Sequence, residues 1–257
     1  MSDTLFKELI HGEREEVNRM QFLTIKRFGD FFIPGTILFF SLLCPVKAIA
    51  QEVQALYQQK CLSCHAVSPT KKVTIKERAS VKGMPLWFAG SKFNKGWLET
   101  WLASPQPIFG VKWGTFEKVT YNHPAVDTSE AKQLAEYLMT LVDTQVKPGA
   151  TVPLPKARGK RRSFMGRTAQ LFEKHQGCYA CHRYLNKRRQ ELGGFTAPSL
   201  VEASQRLQAD WVYQFLEDPR RYYPNGRCPI PGDKAFNNYT DENRAALATY
   251  IVNIGTR

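Results

Sequence analysis

Two five-residue stretches, Cys61-Leu62-Ser63-Cys64-His65 and Cys178-Tyr179-Ala180-Cys181-His182, decide how this chain folds. Both follow the pattern C-x-x-C-H, and they begin 117 residues apart in a chain of 257 residues. Residues around the two stretches repeat at almost the same spacing. The corresponding pairs are Trp97 and Trp211, Pro105 and Pro219, and Tyr137 and Tyr250, at offsets of 114, 114 and 113. Repetition at a nearly constant period indicates two copies of one folded unit.

The C-x-x-C-H pattern predicts covalent attachment of haem. The thiols of Cys61 and Cys64 lie three positions apart and can form thioethers with the two vinyl groups of one haem. His65 is then placed to bind the iron from the proximal side. The second motif repeats this set with Cys178, Cys181 and His182. We therefore predict two covalently bound haem c groups.

Two other uses of paired cysteines fit the sequence less well. A zinc site would need a second Cys/His pair near each motif, and the sequence has none. A thioredoxin-like redox pair has no use for the histidine that follows the second cysteine in both motifs.

Each copy is predicted to be mostly helical. Trp97 and Trp101 are four residues apart, which places both rings on one face of a helix that Pro105 ends. The last helix of the first copy begins with a capping box formed by Asp127 and Glu130. Its apolar face carries Ala131, Leu134, Ala135, Leu138 and Leu141, and its counterpart after Thr240 carries Ala246, Leu247, Tyr250, Ile251 and Ile254. No segment alternates like a sustained strand, so the fold class is predicted to be all-α.

Together these features resemble class I cytochromes c, the small all-helical haem proteins, in a tandem two-haem form. The resemblance covers residues 51–257. Besides the motifs, Ala197-Pro198-Ser199-Leu200 is similar to the family's proline-bearing loop on the proximal side of the haem, and Gly83-Met84-Pro85-Leu86 stands at the corresponding place. The resemblance implies two tandem cytochrome c domains, at 51–145 and 164–257, joined by a Pro/Gly-rich and basic linker at 146–163.

The distal iron ligands are predicted to differ between the two copies. In this family the distal ligand is usually a Met in the loop before the last helix, and neither copy has a Met there. His123 and Cys228 occupy that loop instead, each directly before a proline. We therefore predict His65/His123 ligation of the first haem and His182/Cys228 ligation of the second. Imidazole and thiolate donate more strongly than thioether, so both reduction potentials should lie below those of His/Met cytochromes c.

Other assignments of the distal side stay open. His123 is alternatively a surface histidine, leaving the first iron five-coordinate or bound by Met84, although Met84 belongs to the proximal loop. Met139, in the last helix, is a poorer candidate. Cys228 is alternatively a free thiol or part of an intermolecular disulfide. His175, just before the second motif, is interpreted as a surface or haem-edge residue.

The first 50 residues predict a leader followed by a secretory signal peptide. Lys26 and Arg27 precede an uncharged run over 33–43, and Ala48-Ile49-Ala50 is a small-x-small cleavage signature. The run is short for a membrane span, which needs about 20 residues. We predict a natural start at Met20, cleavage after Ala50 and export to the periplasm or an equivalent compartment, with an uncleaved anchor as the alternative.

The charge of the chain indicates its partners. The net charge is +13, and residues 1–50 carry equal numbers of acidic and basic residues, so the excess belongs to the exported part. A basic surface attracts an acidic redox-partner protein or a membrane redox complex, and also an anionic membrane surface. Nucleic-acid binding is not expected, because no binding motif accompanies the charge. The oligomeric state is left open.

Electron transfer is the function that these predictions favour. The sequence has no nucleotide-binding loop, Rossmann fingerprint or nucleophile elbow. One alternative is oxidation of a sulfur oxyanion at the Cys-ligated haem, because the chain is similar in layout to diheme thiosulfate dehydrogenases. In those enzymes, however, the Cys-ligated haem is typically in the first domain. The other alternative is binding of nitric oxide or another small gas.

Overall fold

The computed structural model describes residues 44–74, 77, 83–110, 117, 123–230 and 239–256. By its contacts the chain divides into two units, Met1–Lys47 and Ala48–Arg257. The account below concerns the second unit, whose two copies are called the first half (51–145) and the second half (146–257).

The predicted leader lies almost wholly outside the described residues. This holds for the start at Met20 and for the apolar run over 33–43. The first described helix, α1 (Cys44–Lys60), continues through the predicted cleavage point after Ala50. Export and cleavage therefore stay predictions. Within the described residues, no helix combines the length and apolarity needed to span a bilayer.

The first half places two long helices against each other at its centre. Its described helices after α1 are α2 (Ala89–Lys92), α3 (Lys95–Ala103) and α4 (Thr128–Thr140). Helix α3 ends two residues before Pro105, as predicted. The capping box of α4 is also confirmed, because the Glu130 N–H donates to the Asp127 carboxylate at 2.9 Å. These two helices share a core that contains Leu98, Leu102, Leu134 and Leu138.

The second half repeats this arrangement with an added hairpin. Its helices are α5 (Arg158–Gln170), α6 (Ala203–Arg206), α7 (Ala209–Glu217), α8 (Pro219–Tyr222) and α9 (Asp241–Ile251). A π-helical turn (Leu171–His175) and a 3-10 turn (Cys178–Ala180) follow α5. Strands β1 (Tyr184–Leu185) and β2 (Glu191–Leu192) pair antiparallel, with Tyr184 opposite Leu192. Helix α9 begins after Thr240, as predicted, and Thr240 caps it, since the Asn243 N–H donates to the Thr240 hydroxyl at 3.3 Å.

The described residues are thus mostly helical, as predicted, and β1 and β2 are the strands among them. The hairpin was not predicted, because two residues per strand are too few to show an alternating pattern. Helix α5 begins at Arg158, inside the segment predicted as a linker over 146–163. The basic run there is therefore helical from Arg158 onward. The domain boundaries themselves stay predictions.

One pair of aromatic rings joins the segment before each motif to the last helix of its half. In the first half Tyr57 contacts Tyr137 with ring centroids 5.1 Å apart. In the second half Phe172 contacts Tyr250 at 5.5 Å. Tyr57 and Phe172 are fully buried. Tyr57 lies four residues before Cys61 and Phe172 six residues before Cys178, so the packing against the last helix is repeated although the spacing to the motif differs by two residues.

The two halves meet at a backbone bridge between equivalent residues. Phe93 and Leu207, which are 114 residues apart, form an isolated antiparallel bridge. Its two hydrogen bonds, each 2.9 Å long, run from the Asn94 N–H to the Arg206 carbonyl and from the Gln208 N–H to the Lys92 carbonyl. Exchanging the halves converts one bond into the other. The junction therefore has local two-fold symmetry.

Side chains of the first half enter the core of the second half next to this bridge. Trp87 and Phe88 belong to the hydrophobic core of the second half, together with Trp211 and Tyr222. The Phe88 ring stacks on Trp211 at 5.8 Å between centroids, and the Trp87 ring stacks on Tyr222 at 5.6 Å. The two cores are consequently joined through aromatic rings, and neither half buries these surfaces alone.

A buried carboxylate closes the junction on its other side. Asp143 has a side chain only 1% exposed, and its two oxygens accept from Arg221 at 2.8 and 3.1 Å and from the Tyr222 hydroxyl at 2.7 Å. Burial raises the pKa of Asp143, but the hydrogen bonds from Arg221, the Gln145 amide and Tyr222 outweigh it, so the net shift is downward. Asp143 therefore stays ionised and ties the end of the first half to α8.

Replacing Asp143 by Asn should destabilise the chain by about 2–4 kcal/mol at pH 7, because a buried ion pair loses one charge. A carboxyl with a depressed pKa stabilises the fold above the unfolded-chain value, about 4, and this contribution is lost as pH falls through the folded-state pKa. Urea unfolding at pH 7 and at pH 3 measures this contribution to the free energy of unfolding. The difference between wild type and Asp143→Asn in the free energy of unfolding should be larger at pH 7 than at pH 3.

Glu99→Gln is the matched control, because Glu99 forms an exposed ion pair with Lys95 at 3.6 Å. Such pairs contribute about 0.5 kcal/mol or less. Equal effects of the two substitutions at pH 7 would contradict the role given to Asp143.

Candidate functional site

Both C-x-x-C-H motifs fold into a single tight turn that brings cysteine and histidine together. The His65 N–H donates to the Cys61 carbonyl at 2.9 Å, and the His182 N–H donates to the Cys178 carbonyl at 3.0 Å. In each motif the first cysteine is half-buried and the second, Cys64 or Cys181, is exposed. None of these cysteines is in a disulfide. Each turn therefore presents two thiols and one imidazole.

The imidazole of each motif is held by a loop carbonyl at the equivalent position. His65 Nδ1 lies 2.8 Å from the carbonyl oxygen of Met84, and His182 Nδ1 lies 2.7 Å from that of Pro198. A carbonyl only accepts, so Nδ1 carries the proton and a neutral ring has its lone pair on Nε2. A carbonyl partner on the other ring nitrogen is typical of histidines that bind a metal.

The backbone around these histidines repeats as well. The Leu86 N–H donates to the Ala66 carbonyl at 2.7 Å, and the Leu200 N–H donates to the Arg183 carbonyl at 2.8 Å. The two loops that were predicted to correspond, 83–86 and 197–200, therefore make the same pair of contacts with their own motif.

Glycine allows each loop to approach its motif closely. A Cβ atom on Gly83 would lie 2.6 Å from His65 Cε1 and 2.8 Å from the Cys64 carbonyl oxygen. Behind the second motif, a Cβ atom on Gly194 would lie 2.1 Å from the Ala180 carbonyl oxygen. All three separations are shorter than the contact distance of non-bonded atoms. A side chain at Gly83 or Gly194 would therefore displace the motif.

The ring of His123 lies close to that of His65, the other member of the predicted ligand pair. The two ring centroids are 6.0 Å apart with 49° between the ring planes. His123 Nδ1–H donates to the Pro124 carbonyl at 3.0 Å, which again assigns the lone pair of a neutral ring to Nε2. Two imidazole–metal bonds of about 2 Å each, together with the ring radii, require roughly this separation. The distance between the two ring centroids is thus close to that of two imidazoles bound to one metal ion.

The surroundings keep the His123 ring neutral. Burial lowers its pKa, the hydrogen bond to Pro124 raises it, and the charge on His65 lowers it, with a net downward shift.

The ring of Trp101 lies 4.8 Å from that of His123. Trp101 in turn stacks on Trp97 at 5.7 Å, so the two tryptophans do share one face of α3, as predicted.

Cys228 lies near the cysteines of the second motif. Burial, followed by the influence of Cys181, raises the pKa of Cys228 to about 12. Burial, followed by the influence of Cys228, raises the pKa of Cys178 to about 12 as well. The structure shows no hydrogen bond between His182 and Cys228 within the described part of the chain. A buried thiol of this kind becomes a thiolate when a metal cation binds the sulfur.

The other residues considered as ligands are placed elsewhere. Met84 lies on the same side as His65, because its carbonyl holds that imidazole. Met139 is half-buried in α4, with its backbone against Gly90. His175 is exposed at the end of the π-helical turn.

Each candidate centre offers two protein donors. Among the described residues, no three His, Cys, Asp or Glu side chains converge into a metal-binding group. Structural zinc takes four protein ligands, so these pairs fit a group that supplies most of its own ligands and needs only two axial donors.

Two buried cations, Lys92 and Arg206, were missed by the sequence interpretation. They lie 114 residues apart, the offset that also separates Trp97 from Trp211 and Pro105 from Pro219. Extending the alignment of the two copies by five residues would have found them. Their burial could not have been foreseen, because Lys and Arg are mostly exposed in folded proteins.

Known proteins give no further guide to this site, since no family model, curated protein or solved structure matches the chain. Its function has to be inferred from its own residues and their geometry.

Gly83→Ala should destabilise the protein by about 1–3 kcal/mol, because the added methyl group meets the backbone of Cys64 as well as the His65 ring. Gly96→Ala is the control, since a Cβ atom there meets nothing within 4 Å and alanine favours the helix. Thermal unfolding should show a lower midpoint for Gly83→Ala and an equal or higher one for Gly96→Ala. An unchanged midpoint for Gly83→Ala would exclude a tight loop–motif contact.

Proposed function

We propose that this protein is a diheme c-type cytochrome that transfers electrons, built as two tandem class I cytochrome c domains. The observation that carries the proposal is the repeated hydrogen bond from a motif histidine to a loop carbonyl, His65 to Met84 and His182 to Pro198. Two unrelated thiol pairs would not share this feature at equivalent positions. It prepares Nε2 of both rings to bind iron.

The donor set of the first half supports one haem. A porphyrin supplies four nitrogen ligands, so its iron needs two axial ligands from the protein. His65 and His123 provide two imidazoles at a ring separation of 6.0 Å. Cys61 and Cys64 lie in the turn that carries His65, where thioethers would form.

The second half supports another haem with a different distal ligand. Cys178 and Cys181 would attach it, and His182 would bind the iron on the proximal side. Cys228 is the proposed distal ligand, because its thiol interacts with both attaching cysteines. A thiolate stabilises ferric iron more than an imidazole does, so this haem should have the lower reduction potential.

When bound, haem supplies a reversible one-electron couple between ferric and ferrous iron. The residues of the chain would hold the two protein ligands of each iron in position. The proximal carbonyls keep each motif imidazole in one orientation, and Trp101 packs on the distal imidazole of the first half. Two ligands at each iron leave no open position for substrate, which supports a carrier.

A basic surface supports docking on an acidic redox partner or a membrane redox complex. Arg158, Lys160 and Arg162 are exposed on α5, and the chain has a net charge of +13. Such a surface speeds encounter with an acidic partner, and this effect weakens with ionic strength. Export to the periplasm, where the signal-like leader would direct the chain, is part of the proposal.

Haem attachment can be tested by the mass of the protein exported in cells that mature c-type cytochromes. The wild type should carry two covalent haems. Cys61→Ala/Cys64→Ala and Cys178→Ala/Cys181→Ala should each carry one, because each removes both thioether bonds of one group. Cys228→Ser is the control and should retain both, because Cys228 is proposed only as a ligand. An unmodified wild-type mass would refute the proposal.

The distal ligands can be tested by low-temperature electron paramagnetic resonance of the oxidised protein. Cys228→Met should lose a narrow low-spin thiolate signal, and His123→Ala should convert the other haem to a high-spin or altered low-spin form. His175→Ala should leave the spectrum unchanged, because His175 is exposed and is not proposed as a ligand. If neither ligand variant alters its signal, the distal assignments are wrong.

The carrier role has a separate test. Thiosulfate and nitric oxide should leave the visible spectrum of the oxidised wild type unchanged. Reduction by thiosulfate alone would instead indicate a sulfur-oxidising enzyme, and a shifted spectrum with nitric oxide would indicate a gas-binding protein.

A further inference from the structure

The tip of the hairpin β1–β2 lies against helix α5 and the end of the chain. Arg189 Nη1 donates to the Gly255 carbonyl at 2.5 Å, and Arg161 Nη2 on α5 donates to the hydroxyl of the residue after Gly255 at 3.2 Å. A Cβ atom on Gly166 of α5 would lie 3.5 Å from Lys187 Nζ at the hairpin tip. The hairpin tip and α5 therefore form one continuous surface.

This surface carries five exposed cations. Arg158 and Arg162 are four residues apart and so lie on one side of α5, the side of the next residue at that spacing, which the hairpin approaches. Lys187, Arg188 and Arg189 follow one another at the hairpin tip. These five residues are called the basic face. Within the described part of the chain, none of them forms an ion pair.

Two features of the basic face cost stability. Four of the first five residues of α5 are Lys or Arg, at the positive end of the helix dipole, where cations are unfavourable. Among the described residues, Arg189 is the one non-glycine residue with a positive φ, 60°, which glycine or asparagine adopts more readily. Unfavourable charge and backbone strain concentrate at functional sites. The basic face is therefore better explained by binding than by folding.

The turn that carries the hairpin cations is rigidly held. The Asn186 side-chain oxygen accepts from the N–H groups of Arg188 and Gln190, both at 2.9 Å. The Arg189 N–H donates to the Asn186 carbonyl, also at 2.9 Å. The backbone of these cations therefore has a fixed position.

The basic face lies beside the second C-x-x-C-H motif. Lys187 is five residues after His182, a span of at most about 17 Å. The other end of the hairpin leads into a contact with the motif, because the Gly194 N–H donates to the Tyr179 carbonyl at 2.7 Å. Tyr179 and Cys181 of this motif are exposed. A molecule bound on the basic face would thus lie against the half that carries the second motif.

The positive charge of the chain is concentrated in the same half. Residues 146–257 contain 19 Lys/Arg and nine Asp/Glu, whereas residues 51–145 contain 11 and eight. An approaching acidic molecule is therefore steered toward the second half.

The residue types of the basic face favour a protein partner over a membrane. Four of its five cations are arginines, whose planar guanidinium groups bind a carboxylate through two hydrogen bonds at once. Arginines on a rigid turn and a helix match carboxylates at fixed positions on a folded protein. An anionic membrane is fluid and attracts cations without regard to their arrangement.

We propose that an acidic one-electron redox protein docks on the basic face and exchanges an electron with the haem of the second half. This inference rests on the proposed function, because it needs the haem assigned to Cys178, Cys181 and His182. One electron moves between the cofactor of the partner and the iron of this haem. One of the two is oxidised as the other is reduced, and no bond forms or breaks.

The probe is an acidic flavodoxin in its hydroquinone form, mixed in stopped flow with the intact, oxidised protein at low ionic strength. Three double variants each remove two positive charges: Arg158→Gln/Arg162→Gln, Lys187→Gln/Arg188→Gln and, as the control, Lys71→Gln/Lys72→Gln. The second-order rate constant for haem reduction should fall about 3- to 10-fold in either variant of the basic face, because steering and docking are weakened. These losses should shrink as salt is added.

The control is matched in charge and position. Lys71 and Lys72 are adjacent, exposed cations in the segment that follows the first motif, as Lys187 and Arg188 follow the second. Their replacement should lower the rate constant less than about 2-fold. A loss as large as that of the basic-face variants would mean that only total charge matters, and would overturn the assignment to this face.

Binding of oxidised flavodoxin, measured by calorimetry, gives a second readout that needs no electron transfer, and both variants of the basic face should weaken it. The α5 variant should have an equal or higher thermal midpoint, because it removes charge from the positive end of the helix dipole. A loss of rate in that variant is then not a loss of fold. Binding of the wild type to phosphatidylglycerol vesicles through the same cations, without binding to flavodoxin, would overturn the choice of a protein partner.

The covalent haem content separates this inference from the proposed function. A wild-type protein without haem refutes the function and the inference with it. A protein with two haems whose reduction by flavodoxin is unaffected by the charges of the basic face leaves the function standing and refutes only the docking surface.

Discussion

Two backbone hydrogen bonds, from Asn94 to Arg206 and from Gln208 to Lys92, determine how the halves meet. These bonds join equivalent residues of the two halves. Equivalent side chains next to the bridge are therefore related by a local two-fold axis. The short helices α2 and α6 are held by these bonds, and their last side chains cannot turn toward solvent. The burial of two cations and the insertion of Trp87 and Phe88 into the second core both depend on this contact.

The proximal and distal sides of the two candidate centres obey different constraints. On the proximal side, the turn, the loop and the imidazole are the same in both halves. The histidine–carbonyl hydrogen bond differs in length by only 0.1 Å between them. On the distal side, a histidine stands in one half and a cysteine in the other. Under the proposed function, a common proximal frame means that the difference between the two haems arises mainly from the distal ligand. The two haems would then differ in reduction potential, and a single electron would occupy mainly the haem of higher potential.

Much of this arrangement was predictable from the sequence, for identifiable reasons. Helix α4 was predictable because its cap and its apolar face are both local patterns, and the facing of Trp97 and Trp101 follows from helical spacing alone. The pairing of His123 with His65 was predicted from a resemblance, and the structure places the two ring centroids 6.0 Å apart with the ring planes tilted by 49°.

What could not be predicted either depends on contacts between the halves or lacks a local pattern of apolar residues. The two-fold bridge joins residues 114 positions apart, and no local pattern marks Phe93 or Leu207 as partners. The hairpin β1–β2 is too short to leave a periodic signal. The basic run at the start of α5 resembles a linker because its residues are polar all round, and the helix is held instead by Phe164 and Ala169, which are buried.

The junction contains three buried ionisable side chains, Asp143, Lys92 and Arg206, and among the described residues only Asp143 has a partner of opposite charge. Both oxygens of Asp143 are occupied by Arg221 and Tyr222, so this carboxylate has no capacity left for Lys92 or Arg206. The pair of cations also repels itself, since the charge of Arg206 lowers the pKa of Lys92. The two cations are held instead by neutral acceptors and aromatic rings. Lys92 donates to the Tyr223 hydroxyl and lies over Trp211, and Arg206 donates to the Ser199 carbonyl and lies over Trp97.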